Sequence, residues 1–154
     1  MSIFDRLREG ITTRDPSATR EVAAEFARAL VPGTVLALHG DLGVGKTTFV
    51  QGLALGLGVT AAITSPTFNL FTIHRGAINL VHLDAYRLSS AREFEELLIE
   101  EFLTPPWVLA VEWPERIADA LPPDALHLDL GIQTDQSHQL RLRRAAAAED
   151  ATQA

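Results

Sequence analysis

Apolar residues along this chain fall into short runs and helical stripes, separated by breaks rich in glycine and proline. Asp15-Pro16 has the chemistry of a helix start, an N-cap carboxylate followed by proline in the first turn. Val22, Phe26 and Leu30 recur at helical spacing, which predicts an amphipathic helix over 17–30, ended by Pro32-Gly33. The run Thr34-Val35-Leu36-Ala37-Leu38 is almost wholly apolar, as expected of a strand buried on both faces. A glycine-rich loop follows at once, and 47–57 reads as a second helix with Gly56 and Gly58 offering its C-cap.

Two strand-like runs, 68–73 and 78–84, flank His74-Arg75-Gly76-Ala77, and so short a connection predicts an antiparallel hairpin. Ser90-Ala91-Arg92-Glu93 has the spacing of a capping box and opens a helical region reaching about Leu103. Glu93, Glu95, Glu96, Glu100 and Glu101 crowd that region as its solvated face, and Pro105-Pro106 ends it. Residues 107–111 predict a third buried strand, running into Glu112-Trp113-Pro114. A short helix over 115–121 and strands over 126–132 and 140–144 follow. We expect one domain over 1–144 and an alanine-rich, disordered tail over 145–154.

Composition narrows the function classes. Hydrophobic residues make up 47% and charged residues 21% of 154, ordinary values for a chain that can bury a core. There are no cysteines, which excludes disulfides and thiolate metal sites. The opening MSIFDRLREG lacks the apolar core of a signal peptide. The most apolar stretch, 49–63, is too short to span a bilayer and is broken by Gln51 and glycines. A soluble, cytoplasmic protein is expected. The formal charge of -7 should repel nucleic acid. Arg141, Arg143 and Arg144 form the one basic cluster, without interleaved aromatics, and read as a solvated strand edge.

The strongest chemical signal is the glycine-rich loop. Gly40-Asp41-Leu42-Gly43-Val44-Gly45-Lys46-Thr47 satisfies every fixed position of the phosphate-binding P-loop, between a predicted strand and a predicted helix. A triphosphate must be wrapped by successive backbone N–H groups, and glycine lets the chain turn that tightly without an obstructing side chain. The free N–H groups of the helix start add partial positive charge. Lys46 would reach the β- and γ-phosphates and the Thr47 hydroxyl would bind Mg2+. Lys46 is the only lysine, so the Asn/Thr-Lys-x-Asp element of a guanine pocket is absent, which favours ATP.

A P-loop site also needs a carboxylate at the end of a neighbouring strand. Asp84 and Glu112 both end strand-like runs, and spacing alone does not say which touches the metal. Ser65-Pro66-Thr67-Phe68 stands where a switch segment that senses the γ-phosphate is often found, although Ser and Pro also make ordinary turns. His39 and His82 lack metal-ligand spacing and read as packed or exposed histidines. Trp113 would cover the site or simply pack.

The P-loop through Thr48, Ser65-Pro66-Thr67-Phe68, His82-Leu83-Asp84-Ala85-Tyr86-Arg87-Leu88 and Val111-Glu112-Trp113-Pro114-Glu115 occur in that order. Together they closely resemble the TsaE (YjeE) family of bacterial tRNA threonylcarbamoyladenosine biosynthesis proteins, from about Asp15 to Arg144. The resemblance implies an α/β P-loop NTPase fold, three-layered with a mixed parallel and antiparallel central sheet. It implies an ATPase that works with the TsaB and TsaD proteins and meets tRNA only through them. It carries over a nucleotide contact to Asp41, Leu42, Gly43, Val44, Gly45, Lys46, Thr47, Thr48, Thr67 and Trp113. Lys46, Asp84 and Glu112 become the catalytic residues, with Thr47 and Glu112 in the metal shell and Asp84 positioning water. Family members often carry an arginine near the C-terminus that reaches the nucleotide; here His138 stands closest to that position, with Arg141 as a possible substitute. The resemblance would put the segment around Thr12 and Thr13 by the adenine, with no motif to fix it. Two other functions share the P-loop. A small-molecule kinase would need an arginine lid, for which Arg87 and Arg92 are the central candidates; a nucleotide-dependent assembly switch would need little hydrolysis.

Overall fold

A computed structural model describes residues 1–41, 43, 45–60 and 70–144. Helix α1 (Ile3–Glu9), strand β1 (Ile11–Thr13) and helix α2 (Pro16–Ala29) lead into β2 (Val35–His39) and α3 (Lys46–Gly56). Strands β3 (Phe71–His74) and β4 (Asn79–Asp84) are followed by α4 (Ala91–Glu96), β5 (Trp107–Glu112), β6 (Leu126–Ile132) and β7 (His138–Leu142). The strands form one sheet of order β1-β7-β6-β2-β5-β4-β3. Its centre, β6, β2, β5 and β4, is parallel, and antiparallel strands are added at both sides.

The pleat divides the side chains of β4 and β5 between two cores. Leu80, Val108 and Ala110 join Leu36, Leu38, Leu128 and Leu140 beneath α1, α2 and α3, where Phe26, Phe49 and Leu53 are fully buried. Val81, Leu83, Leu109 and Val111 pack on the opposite face against Leu88, Ile99 and Ile117. The result is the three-layer, mixed-sheet P-loop NTPase architecture.

Several elements depart from the sequence pattern. The predicted helix reaching Leu103 breaks after six residues: Leu98 turns left-handed (φ 52°) and Ile99–Phe102 continues as a 3-10 helix. Like charge along the glutamate-rich segment weakens a continuous helix, and the break lets Ile99 reach the core beside Val81 and Leu83. The predicted helix 115–121 is instead a 3-10 segment, Pro114–Ala120, kinked at Ile117, which inserts into that same core. Gly56 lies inside α3 and does not cap it. The cap is a Schellman motif with Gly58 at φ 78°, in which Val59 N–H donates to Ala54 O at 2.9 Å and Gly58 N–H to Leu55 O at 3.2 Å. Residue 68, the expected start of the hairpin, and the expected tail 145–154 lie outside the described residues. The last strand begins at His138, two residues before its predicted start. The local reading of α2 agrees with the structure, since Asp15 accepts a hydrogen bond from Ala18 N–H at 2.8 Å.

Candidate nucleotide site

The site forms where β2 gives way to α3 at the carboxyl edge of the parallel strands. Gly43 and Gly45 take φ of 82° and 92°, conformations that side chains resist. A Cβ on Gly45 would also stand 3.3 Å from His138 Nδ1. Gly45 caps α3 without a side-chain hydrogen bond, so no side chain of its own competes for the N–H groups of the first turn. Gly43, Gly45, Lys46, Thr47 and Thr48 line a cavity of about 380 Å³, closed on the far side by Asp84, Glu112 and Trp113.

Lys46 is only 5% exposed. Its Nζ donates to Gly40 O at 2.7 Å and stands 4.0 Å from the centroid of the Trp113 ring. Burial pushes its pKa down, against the opposing pull of Glu112 and Asp84. Trp113 adopts φ 57° directly after β5, a conformation costing an aromatic residue on the order of 1–3 kcal/mol. Its indole also meets Tyr86 at 5.1 Å, and the Arg116 guanidinium lies 5.4 Å from the Tyr86 ring.

Asp84 and Glu112 end adjacent parallel strands and are register partners, so both project on the face beneath the start of α3. Asp84 Oδ1 accepts from Tyr86 N–H at 3.0 Å. Glu112 Oε2 lies 2.5 Å from Nε2 of His82, which is fully buried. His82 is packed, one of the two readings its spacing left, and it also touches a site carboxylate. The signal was present in the two-residue alternation that puts His82 and Asp84 on one face, but it needs the β4–β5 register to be read.

Among the predicted site residues, Gly43, Gly45, Lys46, Thr47, Thr48, Asp84, Glu112 and Trp113 come together. Asp41 lies just outside, in an adjoining groove of about 590 Å³ with His39, Gly40, Trp113 and Glu115. Leu42, Val44, Ser65, Pro66, Thr67 and Phe68 lie outside the described residues. His138, not Arg141, sits against the loop: it shares a recess of about 100 Å³ with Gly45, Thr48, Arg14, Asp15 and Thr19. Arg141 points instead to the end of α1, donating to Glu9 O at 3.3 Å. The expected solvated arginine edge is also partly occupied, because Arg143 forms two hydrogen bonds with Asp129 at 2.7 and 2.8 Å. Thr13, buried at 3% exposure, bonds Thr19 at 2.6 Å and is not itself among the residues of that recess.

His39, the residue before the loop, has Nε2 2.8 Å from Nδ1 of His127. One nitrogen must donate and the other accept, so a doubly protonated pair would oppose two donors. Burial, then the nearby Arg143 charge, lowers the pKa of both imidazoles below 6.5. Above pH 6.5 the pair is neutral in folded and unfolded chains. Below it the unfolded imidazoles protonate first, so stability is lost as pH falls. Replacing both residues by glutamine is expected to flatten the acid limb of urea-denaturation stability between about pH 6.5 and 5, by at most ~1.4 kcal/mol per pH unit for each imidazole. An unchanged limb would contradict this account.

A glycine cradle opening a helix, one lysine and two strand-end carboxylates mark the P-loop NTPase fold. The family model described as Threonylcarbamoyl adenosine biosynthesis protein TsaE matches residues 13–143. The chain is 38% identical to tRNA threonylcarbamoyladenosine biosynthesis protein TsaE of Treponema pallidum, over 83% of this chain and 95% of that one. It is 37% identical to the protein of the same name from Bacillus subtilis, over 83% and 80%. The crystal structure of Bacillus subtilis YdiB superposes with a TM-score of 0.75 at 30% identity, covering 92% of this chain and 88% of that one. The chain belongs to the TsaE family.

Proposed function

We propose that this protein is a magnesium-dependent ATPase of bacterial tRNA threonylcarbamoyladenosine biosynthesis, working in the cytoplasm with the TsaB and TsaD proteins. The observation that carries the reading is the convergence of Lys46, Thr47, Asp84 and Glu112 on one cavity fed by the glycine loop. Its relatives, named for that pathway, supply the biological setting.

The donor set fits magnesium. Thr47, Asp84 and Glu112 offer oxygen, and among the described residues no three His, Asp or Glu side chains form an all-protein metal cage. Magnesium is commonly held in this way, by one or two carboxylates, a hydroxyl, water and the substrate's own phosphates. Thr47 and Glu112 would hold it, and when bound it neutralises charge on the β- and γ-phosphate oxygens. Lys46 would exchange its bond to Gly40 O for the γ-phosphate and follow the charge that develops there. Asp84, register partner of Glu112, would orient the attacking water. Water adds to the γ-phosphorus as the bridging P–O bond breaks, and ADP and phosphate leave. The recess beside His138 and Thr48 is contiguous with the loop through Gly45 and would receive the adenosine end.

The test is phosphate release from Mg-ATP by the purified chain, with and without TsaB and TsaD. A marked rise with the partners supports a partner-driven ATPase; tight ATP binding with no stimulation favours the assembly switch. Phosphorylated acceptor in place of free phosphate would identify a kinase. Glu112→Gln is expected to raise the magnesium concentration needed for half-maximal release by about 10- to 100-fold. An unchanged magnesium titration would remove Glu112 from the metal shell.

A further inference from the structure

We infer that His82 is a positioning residue for Glu112, fixing which carboxylate oxygen is offered to the magnesium–nucleotide complex. The inference rests on the proposed metal role of Glu112. On β4 the sequence alternates Leu80, His82, Asp84, and on β5 Val108, Ala110, Glu112, all on the face beneath α3. His82 pairs in register with Ala110, whose methyl leaves room for an imidazole to reach diagonally to Glu112. The two side chains meet at 2.5 Å, with His82 at 0% and Glu112 at 6% exposure.

A carboxylate can only accept, so Nε2 carries a hydrogen. Nδ1 finds no hydrogen-bond partner among the described residues. A buried imidazole with one nitrogen unpaired is a poor choice for filling a strand core, where Leu80, Val81 and Leu83 surround it in sequence. Its polar contact with Glu112 is what an aliphatic residue could not supply. By holding Oε2, His82 stops the carboxylate from rotating and leaves Oε1 for the cavity that Glu112 lines. Such outer contacts typically change metal affinity by about 10- to 100-fold when removed.

The test compares binding of a fluorescent ADP analogue, titrated with magnesium chloride, in the full chain and in His82→Leu, His82→Gln, Glu112→Gln and the His82→Leu/Glu112→Gln double variant. His82→Leu is expected to weaken the magnesium dependence by about tenfold or more and leave metal-free nucleotide affinity within about twofold. His82→Gln, whose amide can still donate, should recover most of the loss. In the Glu112→Gln background His82→Leu should add less than about twofold, because it acts through that carboxylate. Equal loss of affinity with and without metal, or additive effects, would overturn the inference. If Glu112→Gln leaves the magnesium titration unchanged, the metal reading of Glu112 falls and this inference with it. If Glu112→Gln shifts the titration and His82→Leu does not, this inference alone falls. Nitrogen NMR of the unaltered chain gives a second measure independent of variant folding: hydrogen on Nε2 of His82 supports the contact, and hydrogen on Nδ1 alone contradicts it.

Discussion

Replacing Lys46 with alanine is expected to lower partner-stimulated ATP hydrolysis by about two to three orders of magnitude. Among the described residues lining the cavity it is the one cation, set against the carboxylates of Asp84 and Glu112. Removing it would leave two negative groups facing the proposed Mg-ATP, with no side-chain cation among the described lining residues to offset them. No other lysine exists in the chain, and two nearby arginines are engaged elsewhere: Arg116 lies over Tyr86, and Arg143 is bonded to Asp129. Stability should respond in the opposite sense. Burial lowers the Lys46 pKa despite both carboxylates, so desolvation outweighs attraction and the charged form is a net cost to the folded chain at neutral pH. Lys46→Met, which keeps an apolar stem but removes the charge, should therefore lower turnover as the alanine variant does while leaving the melting temperature unchanged or raised. Phosphate release and scanning calorimetry together check this. Hydrolysis within threefold of the parent would end the assigned role, and a clear fall in melting temperature would mean that Lys46 is chiefly structural.

How much of this arrangement could be read in the sequence depends on how local each cause is. The start of α2 is legible because Asp15 caps a helix only three residues away, and the P-loop because its glycines, Lys46 and Thr47 are contiguous. β1 is three residues long and exists through pairing with β7, at the other end of the chain, so no local pattern announces it. The break at Leu98 answers to the burial of Ile99 against β4 and β5, a tertiary demand that overrides helical periodicity. The His82–Glu112 contact, between residues thirty apart, requires knowing that β4 and β5 are parallel neighbours with Asp84 opposite Glu112. Motifs thus supplied the chemistry of the site, while strand order supplied the second carboxylate's partner and turned Arg141 away in favour of His138.

Gly52→Ala is expected to destabilise the protein by about 2–3 kcal/mol, although helix propensity alone predicts a gain of roughly 1 kcal/mol. Gly52 lies in the middle of α3 and needs no unusual backbone angle, so a reading from propensity would favour the substitution. Packing reverses the sign. A Cβ at this position would stand 2.5 Å from the carbonyl oxygen of Arg20 and 2.6 Å from the Ala23 Cβ on α2. The obstacle is helix backbone, which cannot rotate aside as a flexible side chain would. Gly56, one turn on, meets Ala24 and Ala27 in the same way, so the two glycines form a smooth strip along which α2 and α3 lie in direct backbone contact. Relief would require α3 to move away from α2, over a core where Phe26 and Phe49 have ring centroids 6.4 Å apart. For a chain of this size the expected loss lowers the melting temperature by about 5–10 °C. Leu55→Ala, on the exposed side of the same helix, should change it by far less. The displacement also has a functional consequence, because α3 begins at Lys46 and carries Thr47 toward Glu112. Nucleotide affinity should therefore weaken in Gly52→Ala even well below its melting temperature. An unchanged or raised melting temperature would show that the helices separate at little cost and that the glycine strip does not set their spacing.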